Sequence, residues 1–103
     1  MIVVVASFQS QPGKEAELEN ALRALVPPTR SEEGTLTYIL HRALHDPGKF
    51  LVYEQYRDAE ALAQHSAGPV LLDLLGKLGS LAAGDPVIEV YEVLSAKEEI
   101  ASS

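Results

Sequence analysis

The chain has 103 residues, of which 47% are hydrophobic, and it contains neither cysteine nor tryptophan. This length allows one domain, which buries about 60 to 65% of its unfolded surface, so a second copy would add useful apolar contact. Eight Lys and Arg residues against 15 Asp and Glu residues give a formal charge of −7, which disfavours binding to nucleic acid or to an anionic membrane. The lack of cysteine excludes disulfides, thiolate nucleophiles and cysteine-ligated metal sites.

The sequence shows no targeting or membrane-spanning pattern. Met1 to Phe8 is apolar but short, and it lacks the basic start of a signal peptide. The longest apolar stretch, Val70 to Ala83, is interrupted by Asp73 and Lys77. It is shorter than the roughly 20 residues that a spanning helix needs. We therefore expect a cytoplasmic protein that binds no membrane.

The first third of the chain reads as a strand followed by a helix. Ile2 to Phe8 is rich in β-branched residues and apolar at nearly every position, which predicts a strand covered on both faces. After the break at residues 11–13, leucines recur at helical spacing at positions 18, 22 and 25. Pro27 and Pro28 predict that this helix ends or kinks there.

The remainder reads as two strands, two helical segments and a last strand. Residues 35–42 and 49–57 are strand-like, and the turn sequence Asp46-Pro47-Gly48 between them predicts an antiparallel hairpin. Asp58 is positioned to cap a helix that runs to about Ser66, and Pro69 suits the first turn of the next helical segment. A loop over 79–86, a strand over 87–94 and a polar tail over 95–103 complete the pattern.

The order strand, helix, strand, strand, helix, strand predicts an α+β domain over residues 1–94 with the ferredoxin-like βαββαβ fold. In this fold the helices cover only one face of a four-stranded antiparallel sheet. The first and last strands nevertheless offer apolar side chains to both faces. The uncovered face therefore predicts a homodimer that forms through the sheet.

Motifs for common cofactors are missing. The sequence has no glycine-rich nucleotide-binding motif and no G-x-S-x-G nucleophile motif. His41 and His45 have the spacing of a helical metal pair, but four residues along a strand span about 13 Å, so they cannot share one ion. We expect no metal site.

Glu54 and His65 are the candidate reactive residues. Glu54 shares one side of its strand with apolar residues, where an ionised carboxylate needs a hydrogen-bonding partner or a wet pocket. A structural ion pair with Arg42 or Arg57 would also satisfy it. His65 lies three residues after Leu62, on the helix face toward the sheet, where it is either a satisfied core histidine or a base. A carboxylate that orients an imidazole makes a usable base near neutral pH.

Several of these segments, in this order, resemble the antibiotic biosynthesis monooxygenase family, especially its quinol-monooxygenase-like members. The segments are the run Pro27-Pro28-Thr29-Arg30-Ser31-Glu32-Glu33-Gly34, then Tyr38, Phe50-Leu51-Val52-Tyr53-Glu54, Asp58 and His65. The resemblance covers Ile2 to Leu94. It implies a dimeric α+β barrel, in which two ferredoxin-like subunits pack their sheets together, with a pocket between sheet and helices. It also implies, for some members, oxidation of quinols or polycyclic phenols by O2 without metal, flavin or other cofactor.

The sequence departs from two branches of that family. Haem-degrading relatives use an Asn on the first strand, a Trp and a histidine ligand, whereas this chain has His65 at the Trp position and Leu75 at the ligand position. The polyketide-oxidising members also rely on a Trp and a pocket Asn. Haem degradation is therefore not expected, and the polyketide substrate cannot be transferred to this chain.

The resulting hypothesis is a cofactor-independent monooxygenase that acts on a small aromatic or quinol-like molecule and O2. Its base would be His65, oriented by Glu54. Substrate-binding candidates are three tyrosines that could stack on or hydrogen-bond to the ring and two arginines that could stabilise an anion: Tyr38, Tyr53, Tyr56, Arg30 and Arg42. Two alternatives stay open, namely an isomerase or lyase of a small carbonyl compound using Glu54 and His65, and a non-catalytic dimeric stress-response module that binds a small molecule.

Overall fold

The computed structural model describes residues 1–97, which form one four-stranded antiparallel sheet with the helices on one of its faces. The elements are β1 (Ile2–Gln9), α1 (Glu15–Arg23), α2 (Val26–Arg30), β2 (Thr35–Ala43), β3 (Asp46–Tyr56), α3 (Ala59–Ser66), α4 (Pro69–Leu81) and β4 (Val87–Glu92). The strand order is β2-β3-β1-β4. This arrangement confirms the predicted α+β ferredoxin-like fold.

The sheet register decides which side chains face the helices. Val4 of β1 lies between Glu54 of β3 and Val90 of β4, and Tyr38 of β2 lies opposite Glu54. Because side chains alternate along a strand, these four residues share the helix-covered face. The core on that face combines residues of the sheet with leucines of α1 and α4: Ala6, Phe8, Phe50, Val52, Leu18, Leu22, Leu74, Leu78 and Leu81.

The sequence predicted that the first helix ends or kinks at its two prolines, but the structure differs. Helix α1 already ends at Arg23, and Pro27 and Pro28 lie within the first turn of the short helix α2. Proline is compatible with this position because the first helical N–H groups have no intrahelical acceptor. The prolines therefore begin a helix whose last turn leads to residues 31–34.

The hairpin turn also lies earlier than predicted. The turn residues are Leu44 and His45, and β3 begins at Asp46, so Pro47 and Gly48 are part of the strand. A register shift between Arg42 and Ala43 adapts β2 to this start. The Asp46 carboxylate accepts a 3.0 Å hydrogen bond from the Gly48 N–H, which holds the local bend that the sequence pattern indicated.

Other boundaries differ by a few residues. Asp58 caps α3 as predicted, since its carboxylate accepts a 2.9 Å hydrogen bond from the Ala61 N–H. Helix α4 begins at Pro69 as predicted but continues through Gly79 to Leu81, into the predicted loop. A bridge between Ser10 and Ala82 follows it directly. Residues 98–103 of the predicted tail lie outside the described residues. Within residues 1–97, no helix is long and apolar enough to cross a membrane.

The outer face of the sheet, which the helices do not cover, carries apolar side chains together with polar ones such as Glu89. Val3 and Val5 of β1 are only partly buried there, so the prediction that β1 is covered on both faces does not hold within one chain. Ile39 and Tyr91 on the same face are 43% and 49% exposed. The physical reason is simple: all described helices pack on the other side.

Gly34, at the entry to β2, is the position where the backbone packs most closely against α3. A Cβ at this residue would overlap with the Ala61 Cβ. We expect Gly34→Ala to lower the free energy of unfolding by about 1 to 3 kcal/mol, because the helix must move outward. Urea denaturation monitored by circular dichroism measures this change.

Gly76 provides the matched control. It is an exposed residue of α4 with open space around its Cα, so Gly76→Ala should raise the free energy of unfolding by about 0.5 to 1 kcal/mol. Equal effects of the two substitutions would contradict close packing at Gly34.

Candidate active site

A cavity of about 280 Å³, called here the inner cavity, lies between the sheet and the helices. Its wall is mostly apolar, with aliphatic residues from three strands and two helices: Val4, Ala6, Val52, Leu62, Leu71, Leu74, Ile88 and Val90. Three side chains with titratable groups face it, namely Tyr38, Glu54 and His65. An apolar cavity with a few convergent polar groups is the usual form of a small-molecule site.

Glu54 is buried at the sheet side of this cavity, with 5% exposure. It faces inward together with Val52 and Tyr56, because every second residue of β3 points to the helix-covered face. Its Oε1 accepts a 2.5 Å hydrogen bond from the Tyr56 hydroxyl. Burial raises the pKa of the Glu54 carboxyl above its ordinary value, and the Tyr56 hydrogen bond and nearby His65 oppose that rise.

The predicted arginine partners of Glu54 lie elsewhere. Arg42 is bound to Glu19 of α1 at 2.6 Å, and Arg57 lies 3.5 Å from Asp58. Both guanidinium groups are partly exposed, so neither is desolvated as a buried ion pair would be. Glu54 is thus satisfied by a phenol, not by a structural salt bridge.

His65 lies in the last turn of α3 and is 5% exposed. Its Nδ1 is 3.0 Å from Glu32 Oε1, while its Nε2 is 3.8 Å from Glu54 Oε1. Only the first distance is a hydrogen bond. The structure therefore brings Glu54 and His65 together as predicted, but Glu32 is the carboxylate that orients the imidazole.

Glu32 is the residue of this site that the sequence did not indicate. It lies between α2 and β2, 33 positions before His65, and no local spacing connects the two. The available signal was the Glu32-Glu33-Gly34 segment of the family resemblance. Gly34 permits the close approach to Ala61 of α3, and this approach carries Glu32 to the histidine.

Two of the three predicted tyrosines belong to the site. The ring centroids of Tyr38 and Tyr56 are 5.7 and 5.4 Å from that of His65. Burial, followed by nearby carboxylates, raises the pKa of both phenols, so they stay neutral near pH 7. The Tyr38 and Tyr56 hydroxyls are therefore hydrogen-bond donors inside an apolar enclosure.

The other predicted binding residues lie outside the inner cavity. Tyr53 points to the outer face of the sheet, where its hydroxyl accepts a 2.9 Å hydrogen bond from Gln55. Arg30 and Arg42 line a separate open groove of about 510 Å³ beside α2 and β2. This groove is larger, but neither Glu54 nor His65 reaches it. Residue alternation on β3 and the exposed position of the arginines explain why these three side chains do not line the inner cavity.

Metal ligands do not cluster in the described chain. Across residues 1–97, no group of three or more His, Asp or Glu side chains is arranged to hold an ion.

Comparison with known proteins identifies relatives over most of the chain. Residues 1–74 match the profile of the family described as antibiotic biosynthesis monooxygenase. Rv0793 of Mycobacterium tuberculosis is 32% identical over 93 residues, which cover 90% of this chain and 91% of that protein. Its solved structure superposes with a TM-score of 0.88, covering 94% of this chain and 98% of that chain.

Two further solved structures are similar. PA3566 of Pseudomonas aeruginosa is 34% identical, with a TM-score of 0.86 and coverage of 91% of this chain and 94% of that chain. A crystal structure of an antibiotic biosynthesis monooxygenase is 26% identical, with a TM-score of 0.85 and coverage of 92% and 100%. Sequence and structure comparisons therefore agree on one family.

The buried Glu54 carboxyl generates a prediction about stability and pH. Below its ordinary pKa of 4.5 this group is neutral in both the folded and unfolded chain. As the pH rises above 4.5, the unfolded chain ionises while the buried carboxyl of the folded chain stays protonated, so stability falls until the raised pKa of the folded state is reached. Glu54→Gln keeps a hydrogen-bond acceptor for Tyr56 and removes this ionisation.

We expect the free energy of unfolding of wild type minus that of Glu54→Gln to decrease as the pH rises above 4.5, and to level off above the raised pKa of the folded state. Urea denaturation at several pH values measures the difference, which cancels the effects of other carboxylates. A pH-independent difference would show that burial does not raise the pKa of Glu54.

Proposed function

Because the chain belongs to the antibiotic biosynthesis monooxygenase family, we propose that it is a monooxygenase that oxidises a quinol or phenol with O2 and uses no cofactor. The observation that supports this proposal is the pairing of His65 with Glu32, which leaves the imidazole Nε2 free toward an apolar cavity. A carboxylate on one ring nitrogen makes the other a base. Deprotonation is the step for which a quinol needs protein assistance.

The proposed reaction begins when His65 Nε2 removes a hydroxyl proton from the substrate. The resulting phenolate transfers one electron to O2, and the two radicals combine at a ring carbon as a peroxide. The O–O bond then breaks, so that one oxygen atom stays in the quinone product. The other leaves as water with two hydrogen atoms of the substrate. The electrons come from the substrate itself.

The groups around Nε2 suit the charge that develops in this sequence. The phenolate oxygen would lie between His65 and the sheet, within reach of neutral donors on Tyr38 and Glu54. Hydrogen bonds to a developing anion are strongest where water is excluded, and the wall of the inner cavity is mainly aliphatic. Glu54 contributes in its neutral form, which burial favours.

The size of the inner cavity supports a small substrate. Its volume of about 280 Å³ is at the lower end of the usual range for ligand pockets. We therefore favour a quinol of one or two rings over a polycyclic phenol.

A second candidate reaction uses the same groups without oxygen. A base at His65 Nε2 and a neutral carboxyl at Glu54, 3.8 Å apart, could move a proton between neighbouring carbons of a small carbonyl compound. Such an isomerase or lyase would turn over anaerobically. A binding module would show ligand binding without turnover.

We expect metal-stripped wild type to consume O2 with a panel of small reduced quinols at a rate well above autoxidation. His65→Ala should reduce this rate by a factor of about 100 or more, because general-base catalysis contributes factors of about 10² to 10⁴. An oxygen electrode measures uptake, and circular dichroism verifies folding. His41→Ala is the control, since His41 is an exposed histidine of β2.

Two outcomes would contradict the proposed reaction. O2 uptake that His65→Ala leaves intact would remove His65 as the base. Turnover of a carbonyl substrate under nitrogen, abolished in His65→Ala, would support the isomerase instead.

We also propose that two copies associate through the outer face of the sheet. Ile39, Val5 and Tyr53 lie side by side there on three neighbouring strands, half-buried or exposed. An exposed apolar patch of this kind is stabilised by burial against a second copy. Tyr53 would then be an interface residue, with its hydrogen bond to Gln55 retained.

Sedimentation velocity tests the dimer. Wild type should sediment at twice the chain mass, and Ile39→Glu should shift the protein to the monomer because it buries an unpaired charge. Leu44→Glu is the control, as Leu44 is 94% exposed in the hairpin turn. A monomeric wild type at micromolar concentration would refute the interface.

A further inference from the structure

His65 separates two cavities. One is the inner cavity, and the other is a cleft of about 230 Å³ on the opposite side of the ring, called here the outer cleft. The outer cleft lies between α2 and the start of α4, lined by Thr29, Glu32, Gly68 and Pro69 among others. His65 and Leu71 are the side chains that line both cavities.

Each ring nitrogen of His65 has its own carboxyl group, and the two carboxyl groups differ in their access to water. Nε2 is nearest Glu54, whose side chain is 7% exposed, whereas Nδ1 is bonded to Glu32, whose side chain is 36% exposed. Tyr38 and Tyr56 pack against the ring from β2 and β3. Within the described chain, Glu32 is the only titratable residue besides His65 that lines the outer cleft.

We propose that Glu32 is a proton relay that connects His65 to solvent through the outer cleft. This inference rests on the proposed function, in which Nε2 takes up a proton inside an apolar cavity that the substrate occupies. The relay gives that proton a route that does not pass the substrate. Glu32 acts through His65 and is therefore a positioning and relay residue.

The relay moves protons in a balanced sequence. The substrate O–H bond breaks as an N–H bond forms at Nε2, and the Nδ1–H bond breaks as an O–H bond forms on Glu32. Glu32 then releases the proton to water in the outer cleft. When the peroxide O–O bond breaks, Nε2–H protonates the departing oxygen, and Nδ1 regains a proton that Glu32 has taken back from water in the outer cleft. The original imidazole tautomer is restored.

Glu32→Gln separates orientation from relay, because glutamine can still accept the Nδ1–H hydrogen bond but cannot carry the proton. We expect this variant to lower kcat about tenfold or more at low buffer concentration, with KM changed less than twofold. Added formate, which is small enough to enter the outer cleft, should restore kcat in proportion to its concentration. Glu33→Gln is the matched control, since Glu33 is the exposed neighbour with a 96% exposed side chain.

A second measurement does not depend on turnover. Nuclear magnetic resonance of ¹⁵N-labelled protein follows the exchange of the His65 Nδ1 proton with water. We expect this exchange to be about tenfold slower in Glu32→Gln than in wild type and Glu33→Gln, because the carboxylate that carries the proton is missing. Formate should accelerate it in the variant.

The two readouts distinguish failure of the relay from failure of the proposed function. Wild type without O2 uptake but with Glu32-dependent exchange would refute the oxygenase and support the relay. Exchange that is equal in wild type and Glu32→Gln would overturn the relay, whatever the activity. A loss of kcat that formate does not restore would also overturn it, leaving Glu32 as a residue that only orients the ring.

Discussion

The buried Glu54 carboxyl is the constraint on which the arrangement of the site depends. A carboxyl in an apolar setting must be neutral or fully hydrogen-bonded, and β3 meets this need by placing Tyr56 two residues later on the same face. The Tyr56 ring in turn packs against His65, which brings the imidazole to the edge of the inner cavity. One face of β3 therefore supplies the Glu54 carboxyl, the Tyr56 hydroxyl that donates to it, and the Tyr56 ring that contacts His65.

The close approach of Gly34 to Ala61 has a comparable role on the other side of the histidine. It lets the connection between α2 and β2 lie directly against α3, so that Glu32 reaches Nδ1. The two carboxyl groups then occupy opposite sides of one ring. The hydrogen bond to Glu32 thus orients the imidazole between them.

The sheet has two faces with different tasks. The helix-covered face holds the core and the inner cavity, and the outer face holds half-buried apolar residues such as Val5 and Tyr53. Residue alternation on β3 sends Glu54 and Tyr56 to the first face and Tyr53 to the second. The same alternation explains why Tyr53 cannot lie in one site with Glu54 and Tyr56.

The amino-acid sequence by itself determined the fold class and the element order, and it indicated that Glu54 and His65 lie near each other. These follow from local patterns: hydrophobic periodicity, turn residues, the Asp58 cap, and a carboxyl on the apolar side of a strand next to a helix in chain order. The two prolines and the hairpin turn were misplaced because proline fits a helix start as well as a helix end, and because Asp46 can begin a strand as well as a turn.

Only the tertiary structure decided which groups complete the site. Glu32 is 33 positions from His65, and Arg42 finds Glu19 on α1 and not Glu54. Long-range partners of this kind depend on how closely two elements pack, here on a glycine that lacks a Cβ, and no periodicity within either segment encodes that distance. The chemical type of each residue is given by the sequence, whereas the distances between residues far apart in the chain depend on how the elements pack.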